Sequence, residues 1–197
     1  MISGIFDALV RAADKQVPAN GPRFEAYLKS VIVEVPDFPQ HGINFKNITP
    51  VLEDPRVFRY AVDNMAGYVR NLGPTKLAGM ESCGYPFLGA LCYGTGISQV
   101  LIRKAGKLPR PTLTREYDIE YGKAKIEMYV DSVGRGDRVV VVDDVLATGG
   151  TSRAASELIE ELGGHVVGFC FLIELDFLKG RERLNDGPIF SLAHYSQ

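Results

Sequence analysis

The chain has 197 residues, is 46% hydrophobic and 23% charged, and carries a formal net charge of -2. That length suits one domain with a sizeable core, and the slightly acidic balance reads against a nucleic-acid partner. No apolar run approaches the ~20 residues of a membrane span, so no membrane partner is expected. Cys83, Cys92 and Cys170 are an odd count at no metal-ligand spacing and read as reduced thiols of a cytoplasmic protein.

In chain order, residues 3–15 place Ile5, Phe6, Leu9 and Val10 on one helical face. Their mixture of acids and bases reads against a signal peptide. A break between Pro18 and Pro22 precedes a second helix expected over 23–34. Residues 1–34 are read together as a helical extension that packs or supports a dimer, ahead of one domain over 35–197. Residues 35–49 are rich in Pro, Gly and Asn and read as irregular. Asp54-Pro55 opens a helix, with Asp as N-cap and Pro in the first turn. Val57, Phe58, Ala61, Val62, Met65, Val69 and Leu72 form its apolar stripe. Strands are expected over 76–81, 97–103, 126–130, 138–143 and 165–175, and helices over 84–95 and 150–162. Residues 104–117, polar and interrupted by Gly106, Pro109 and Pro111, read as a mobile loop. Alternating strands and helices argue a doubly wound α/β fold, a mostly parallel twisted sheet flanked by helices.

The most informative run is 139–152. Four valines read as a strand buried on both faces. Asp143-Asp144 follow at its carboxyl end, where open α/β sheets bind ligands. Ala147-Thr148-Gly149-Gly150 leave backbone amides open to an anion, and Thr151 enters a helix whose N-terminus favours negative charge. A plain strand-turn-helix explains the glycines and hydroxyls but not two adjacent carboxylates, which repel and cost desolvation. Vicinal sugar hydroxyls donating to them would offset that cost. No Lys follows the second Gly, so the run is not the Walker phosphate loop.

Hydrophobic strand, Asp-Asp, then Ala-Thr-Gly-Gly-Thr resembles the phosphoribosyl pyrophosphate (PRPP) motif of type I phosphoribosyltransferases, in the version carried by adenine phosphoribosyltransferases. Ile48-Thr49-Pro50-Val51-Leu52, Val100 to Lys104 with Gly106-Lys107-Leu108-Pro109, Ile119-Glu120-Tyr121-Gly122 and Leu178-Lys179-Gly180-Arg181 extend the resemblance from about Val35 to Tyr195. It implies the type I fold with a small N-terminal hood over 35–49. It also implies purine salvage, with the 5-phosphoribosyl group passing from PRPP to adenine to give AMP and pyrophosphate.

The resemblance assigns roles residue by residue. Asp143 and Asp144 take the ribose hydroxyls, and Ala147, Thr148, Gly149, Gly150 and Thr151 cradle the 5-phosphate. Arg103, Lys104 and Lys107, with backbone near Ser82 and Cys83, face the diphosphate. Glu120 is the family's catalytic carboxyl group, placed near purine N7 and N9 where it could accept the proton of the incoming base, and Tyr121 lines a closing flap. Asn44 offers backbone to the base, Phe45 an aromatic face, and Lys46 stands beside them. Magnesium comes bound mainly through PRPP, so no metal cage is expected from the protein. A homodimer is implied.

Two places depart from the family. Where it has Ser-Arg-Gly-Phe, this chain has Ser82-Cys83-Gly84-Tyr85 with an added residue, Pro86. One charge-assisted bond is worth roughly 1.5–3 kcal/mol, so the missing Arg predicts ~10- to 150-fold weaker diphosphate binding. Lys46-Asn47 replaces the usual Arg-Asp, and Asn44 a usual apolar residue. These changes leave two alternatives open: the same transfer to another purine or cytokinin-like base, or a PRPP- or nucleotide-binding regulator.

Overall fold

A computed structural model of the chain describes residues 21–119 and 122–196. It divides into two compact units, with the boundary after Asn64. The helix expected over 3–15 lies outside the described residues.

The first unit contains α1 (Gly21–Val31), β1 (Val33–Pro36), β2 (Asn44–Asn47), α2 (Thr49–Glu53) and the start of α3 (Pro55–Leu72). Phe24, Leu28 and Ile32, four residues apart, are buried, as one face of a helix requires. The helix expected over 23–34 ends at Val31, and part of the segment read as irregular is an antiparallel ribbon. It places Glu34 opposite Lys46 and Val35 opposite Phe45. The cause is local: Val33-Glu34-Val35 alternates with the period of a strand. Asp54 caps α3 as expected, its Oδ1 accepting from the Arg56 amide at 2.9 Å.

The second unit is a seven-stranded sheet in the order β5-β6-β4-β3-β7-β8-β9. Its strands are β3 (Lys76–Met80), β4 (Ser98–Lys104), β5 (Thr112–Ile119), β6 (Gly122–Tyr129), β7 (Arg138–Leu146), β8 (His165–Leu175) and β9 (Ile189–Tyr195). The run from β4 through β9 is parallel. β6 is antiparallel to both β4 and β5. Helices α4 (Gly84–Thr95) and α5 (Gly150–Glu161) match the expected positions. The 104–117 loop is corrected: its second half is β5, whose alternating Leu113 and Tyr117 pack against the core. β9 escaped the sequence reading because Ser191 and His194 interrupt its apolar run.

Val139, Val140, Val141 and Val142 are each fully buried. Alternate residues of a strand face opposite sides, so β7 is covered on both. Burying each such side chain contributes roughly 1.5–3 kcal/mol. α5 adds Ala154, Ala155, Leu158 and Ile159 to the cluster that holds Val139 and Val141. β3 has β4 on one side and β7 on the other. The chain therefore reverses its winding direction at β3, and the carboxyl ends of β4, β3 and β7 open on one edge. Ligands of open α/β sheets bind at such a switch point. Among the described residues no helix is long and apolar enough to cross a membrane.

Candidate active site

The end of β7 meets the start of α4. A Cβ built on Gly84 would lie 2.7 Å from Asp143 Oδ1, closer than real Cβ contacts. Only glycine lets the β3–α4 turn pass Asp143 this closely. Asp143 Oδ1 also accepts from the Asp144 amide at 3.0 Å. Burial, then the neighbouring Asp144 carboxylate, pushes Asp143 well above its ordinary 3.8. Burial raises Asp144 as well. Two desolvated carboxylates are thus held where hydroxyl donors would stabilise their ionised form. Cys83 stands beside them on the surface, its thiol pushed up by partial desolvation and by Asp144.

The cradle follows directly. A cleft of about 60 Å³ is lined by Asp143 and residues 145–152. Gly149 takes φ +79° at the N-terminus of α5, a conformation that side chains rarely adopt. The first-turn amides of α5 have no intrahelical acceptors, so the cleft suits a phosphate. Behind it, a Cβ on Gly149 would lie 2.5 Å from Gly180 O. A Cβ on Gly180 would lie 2.1 Å from Ala147 O. The cradle therefore rests against the 3-10 turn Gly180–Arg183. Arg181 anchors that turn through two bonds to the buried Glu174, at 2.9 and 2.6 Å.

Lys104 ends β4 and Lys107 lies on the turn after it, both fastened by two carboxylates that sequence reasoning passed over. Glu81 accepts from Arg103 Nε and Nη2, each at 3.1 Å, and from the Lys104 amide at 3.1 Å. Arg103 Nη1 also donates to Lys107 O at 3.3 Å. Its guanidinium thus braces the turn. Glu127, only 4% exposed, accepts from the amides of Lys107 at 2.7 Å and Leu108 at 2.8 Å. Burial alone would raise Glu127, but bonds from Gly106, Leu108, Lys107 and Thr112 outweigh it and hold the carboxyl low. An apolar-polar alternation over 112–119 would have flagged this hairpin.

Within the ribbon of the first unit, Asn44 Nδ2 and Lys46 Nζ both donate to Glu34. Asn44 and Lys46 thus share one partner. Those two bonds hold Glu34 below the usual carboxylate range. Phe45 is 41% exposed and meets Phe38 edge-on, centroids 5.2 Å apart. The structure brings Ser82, Cys83, Asp143, Asp144 and residues 147–151 together at one sheet edge, with Arg103, Lys104 and Lys107 on the adjoining strand end. Glu120 and Tyr121 lie outside the described residues.

The donors at this edge are carboxylate oxygens, which fit a hard ion such as magnesium. Elsewhere, Glu174, Asp176 and His194 hold potential ligand atoms within 4.8 Å of one another. Glu174 is already bound by Arg181 and by Ser191, which leaves that cluster ill-suited to a cation.

An amide-lined cleft and paired carboxylates at the switch point of a mostly parallel sheet are the pattern of sugar-phosphate enzymes. The phosphoribosyl transferase domain model matches residues 49–192. The chain is 46% identical over 168 residues to adenine phosphoribosyltransferase of Synechococcus sp., covering 85% of this chain and 98% of that one. The crystal structure of adenine phosphoribosyltransferase from Thermoanaerobacter pseudethanolicus superposes with a TM-score of 0.84 at 45% identity, covering 86% of this chain and 99% of that one. The Saccharomyces cerevisiae enzyme, solved with an imino-altritol bisphosphate and adenine, gives a TM-score of 0.80 at 35% identity, covering 85% and 97%. The chain belongs to the adenine phosphoribosyltransferase family.

Proposed function

We propose that the protein transfers the 5-phosphoribosyl group of PRPP to adenine, giving AMP and pyrophosphate. The observation that carries this is the paired, desolvated Asp143 and Asp144 beside the phosphate cradle. A ligand with two adjacent hydroxyls and a phosphate one arm's length away satisfies both features at once.

Adenine N9 attacks C1 of the ribose; the C1–N9 bond forms as the C1–oxygen bond to diphosphate breaks. Asp143 and Asp144 accept from the ribose hydroxyls. Ala147, Thr148, Gly149, Gly150 and Thr151 hold the 5-phosphate, fixing C1 for in-line attack. Lys104 and Lys107, on the turn that Arg103 braces, face the diphosphate with the backbone at Ser82 and Cys83. Magnesium bound mainly through PRPP would neutralise charge on the leaving group, and Asp143 and Asp144 are the carboxylates that would suit it or its waters. Glu120 takes the N9 proton as general base, and Tyr121 closes the flap against water. Asn44 backbone and the Phe45 ring receive the base, with Lys46 held beside them. A homodimer is supported by exposed apolar groups, Tyr93 and Leu101 among them. The free thiols of Cys83, Cys92 and Cys170 agree with a reducing, cytoplasmic compartment.

A panel of bases offered with PRPP and magnesium tests the reading. Adenine is expected to give product. Product with only another base would overturn the adenine assignment, and PRPP binding without turnover of any base would favour a regulator. Glu120→Ala is expected to slow turnover while AMP binding persists.

A further inference from the structure

β5 is an edge strand, separated from β7 by three others, yet it reaches the phosphate cradle. It does so through α5. Leu113, Arg115 and Tyr117 alternate along β5 and share one face. Leu113 packs against the core cluster that includes Ala154, Ala155 and Leu158 of α5. Arg115 pairs with Glu157 and Glu161 of the same helix. Tyr117 packs against that cluster too, and its hydroxyl accepts from Thr151 Oγ1 at 3.2 Å. Thr151 belongs to the 5-phosphate cradle, whereas Tyr117 stands three residues before Glu120.

We propose that Tyr117 is a positioning residue that couples occupancy of the 5-phosphate cradle to the order of strand β5. The chemistry follows from proton counting. Thr151 has one hydroxyl proton, which in the ligand-free chain goes to Tyr117. A phosphate dianion is the stronger acceptor and draws that hydrogen bond to itself, the proton staying on Thr151. Thr151 Oγ1 is then an acceptor only toward Tyr117, and the tyrosine hydroxyl supplies the donor. The bond reverses direction and becomes the outer link of a chain running Tyr117 to Thr151 to phosphate. Successive links polarise one another, so each strengthens its neighbour. By linkage, Tyr117 tightens the phosphate by the factor with which the phosphate secures β5. No bond to C1 or to the base is involved, so a ligand carrying only ribose and phosphate suffices to engage it. The inference rests on the cradle binding a 5-phosphate.

The test uses ribose 5-phosphate as probe, with the full-length wild type, Tyr117→Phe, Thr151→Val and the double variant. Phe keeps the ring and its packing, so unliganded melting should hold. Tyr117→Phe is expected to weaken ribose 5-phosphate by ~2- to 10-fold. In the Thr151→Val background the same change should cost nothing more. Hydrogen exchange of the β5–β6 hairpin should slow on ribose 5-phosphate binding in the wild type, and less so in Tyr117→Phe. Equal affinity of wild type and Tyr117→Phe overturns the proposal, as does an equal loss in both backgrounds or unchanged hairpin protection. If the wild type itself does not bind ribose 5-phosphate, the cradle assignment fails, and the proposal fails with it.

Discussion

Gly149 and Gly180 touch backbone to backbone, so that neither position has room for a Cβ. The cradle at residues 147–151 is therefore shaped from behind by a turn that does not line its cleft. Gly180→Ala must push Ala147 O away, displacing the cradle. Overpacking of this kind costs ~1–3 kcal/mol of stability. A 1 Å displacement at the reacting centre costs on the order of 100-fold in rate. Thermal unfolding and steady-state kinetics of Gly180→Ala should show both losses, and the AMP dissociation constant should rise.

Asp143 gives the ligand-free protein a distinctive pH dependence. Its folded value lies above its ordinary 3.8, so the folded state holds a proton that the unfolded chain releases. That contribution to stability is fully present below 3.8 and fades as pH rises through the folded value. Melting temperatures measured upward from pH 4 should fall in the wild type by more than in Asp143→Asn. Ribose hydroxyls favour the ionised carboxylates, so AMP binding should release protons in that range. Calorimetry in two buffers of different ionisation heat measures the release.

Glu127 and Glu81 work with the opposite sign. Bonds from Arg103 above all, set against burial, hold Glu81 below its ordinary 4.5, and Glu127 is also lowered. Their support for the turn is present above 4.5 and lost as pH falls through the lowered values. Glu127→Ala strands the Lys107 and Leu108 amides, at a cost of ~1–3 kcal/mol. PRPP KM should rise, while ribose 5-phosphate affinity, which does not use this turn, should stay near that of the wild type.

Cys83 stands at the mouth of α4 beside Asp144, at the position where the family resemblance implies an arginine. Cys83→Arg is expected to tighten PRPP by ~10- to 150-fold, the worth of one charge-assisted bond. Isothermal titration with PRPP and magnesium measures it. An unchanged constant would mean that the turn around Pro86 has taken over the role.

How much was legible beforehand varies with the kind of contact. β7 and α5 could be read directly, because a strand buried on both faces and a glycine-opened helix write themselves into consecutive residues. Asp54 as a cap was legible for the same reason. The 104–117 segment misled because its Gly and Pro residues cluster in the first half, whereas the pairing that makes β5 a strand comes from β6. Glu81, Glu127, Tyr117 and Gly180 carried no signal as supports for the site. Their partners lie 20 to 34 residues away in sequence, or are reached only by backbone contact. The paired use of Glu34 by Asn44 and Lys46 required the ribbon register.

The most direct measurement is product analysis of the purified protein with PRPP, magnesium and adenine, by chromatography and phosphorus resonance. AMP and pyrophosphate are expected in equal amounts, with PRPP consumed one for one. Pyrophosphate without AMP, or PRPP left intact beside saturating adenine, would contradict adenine phosphoribosyl transfer at the Asp143–Thr151 site.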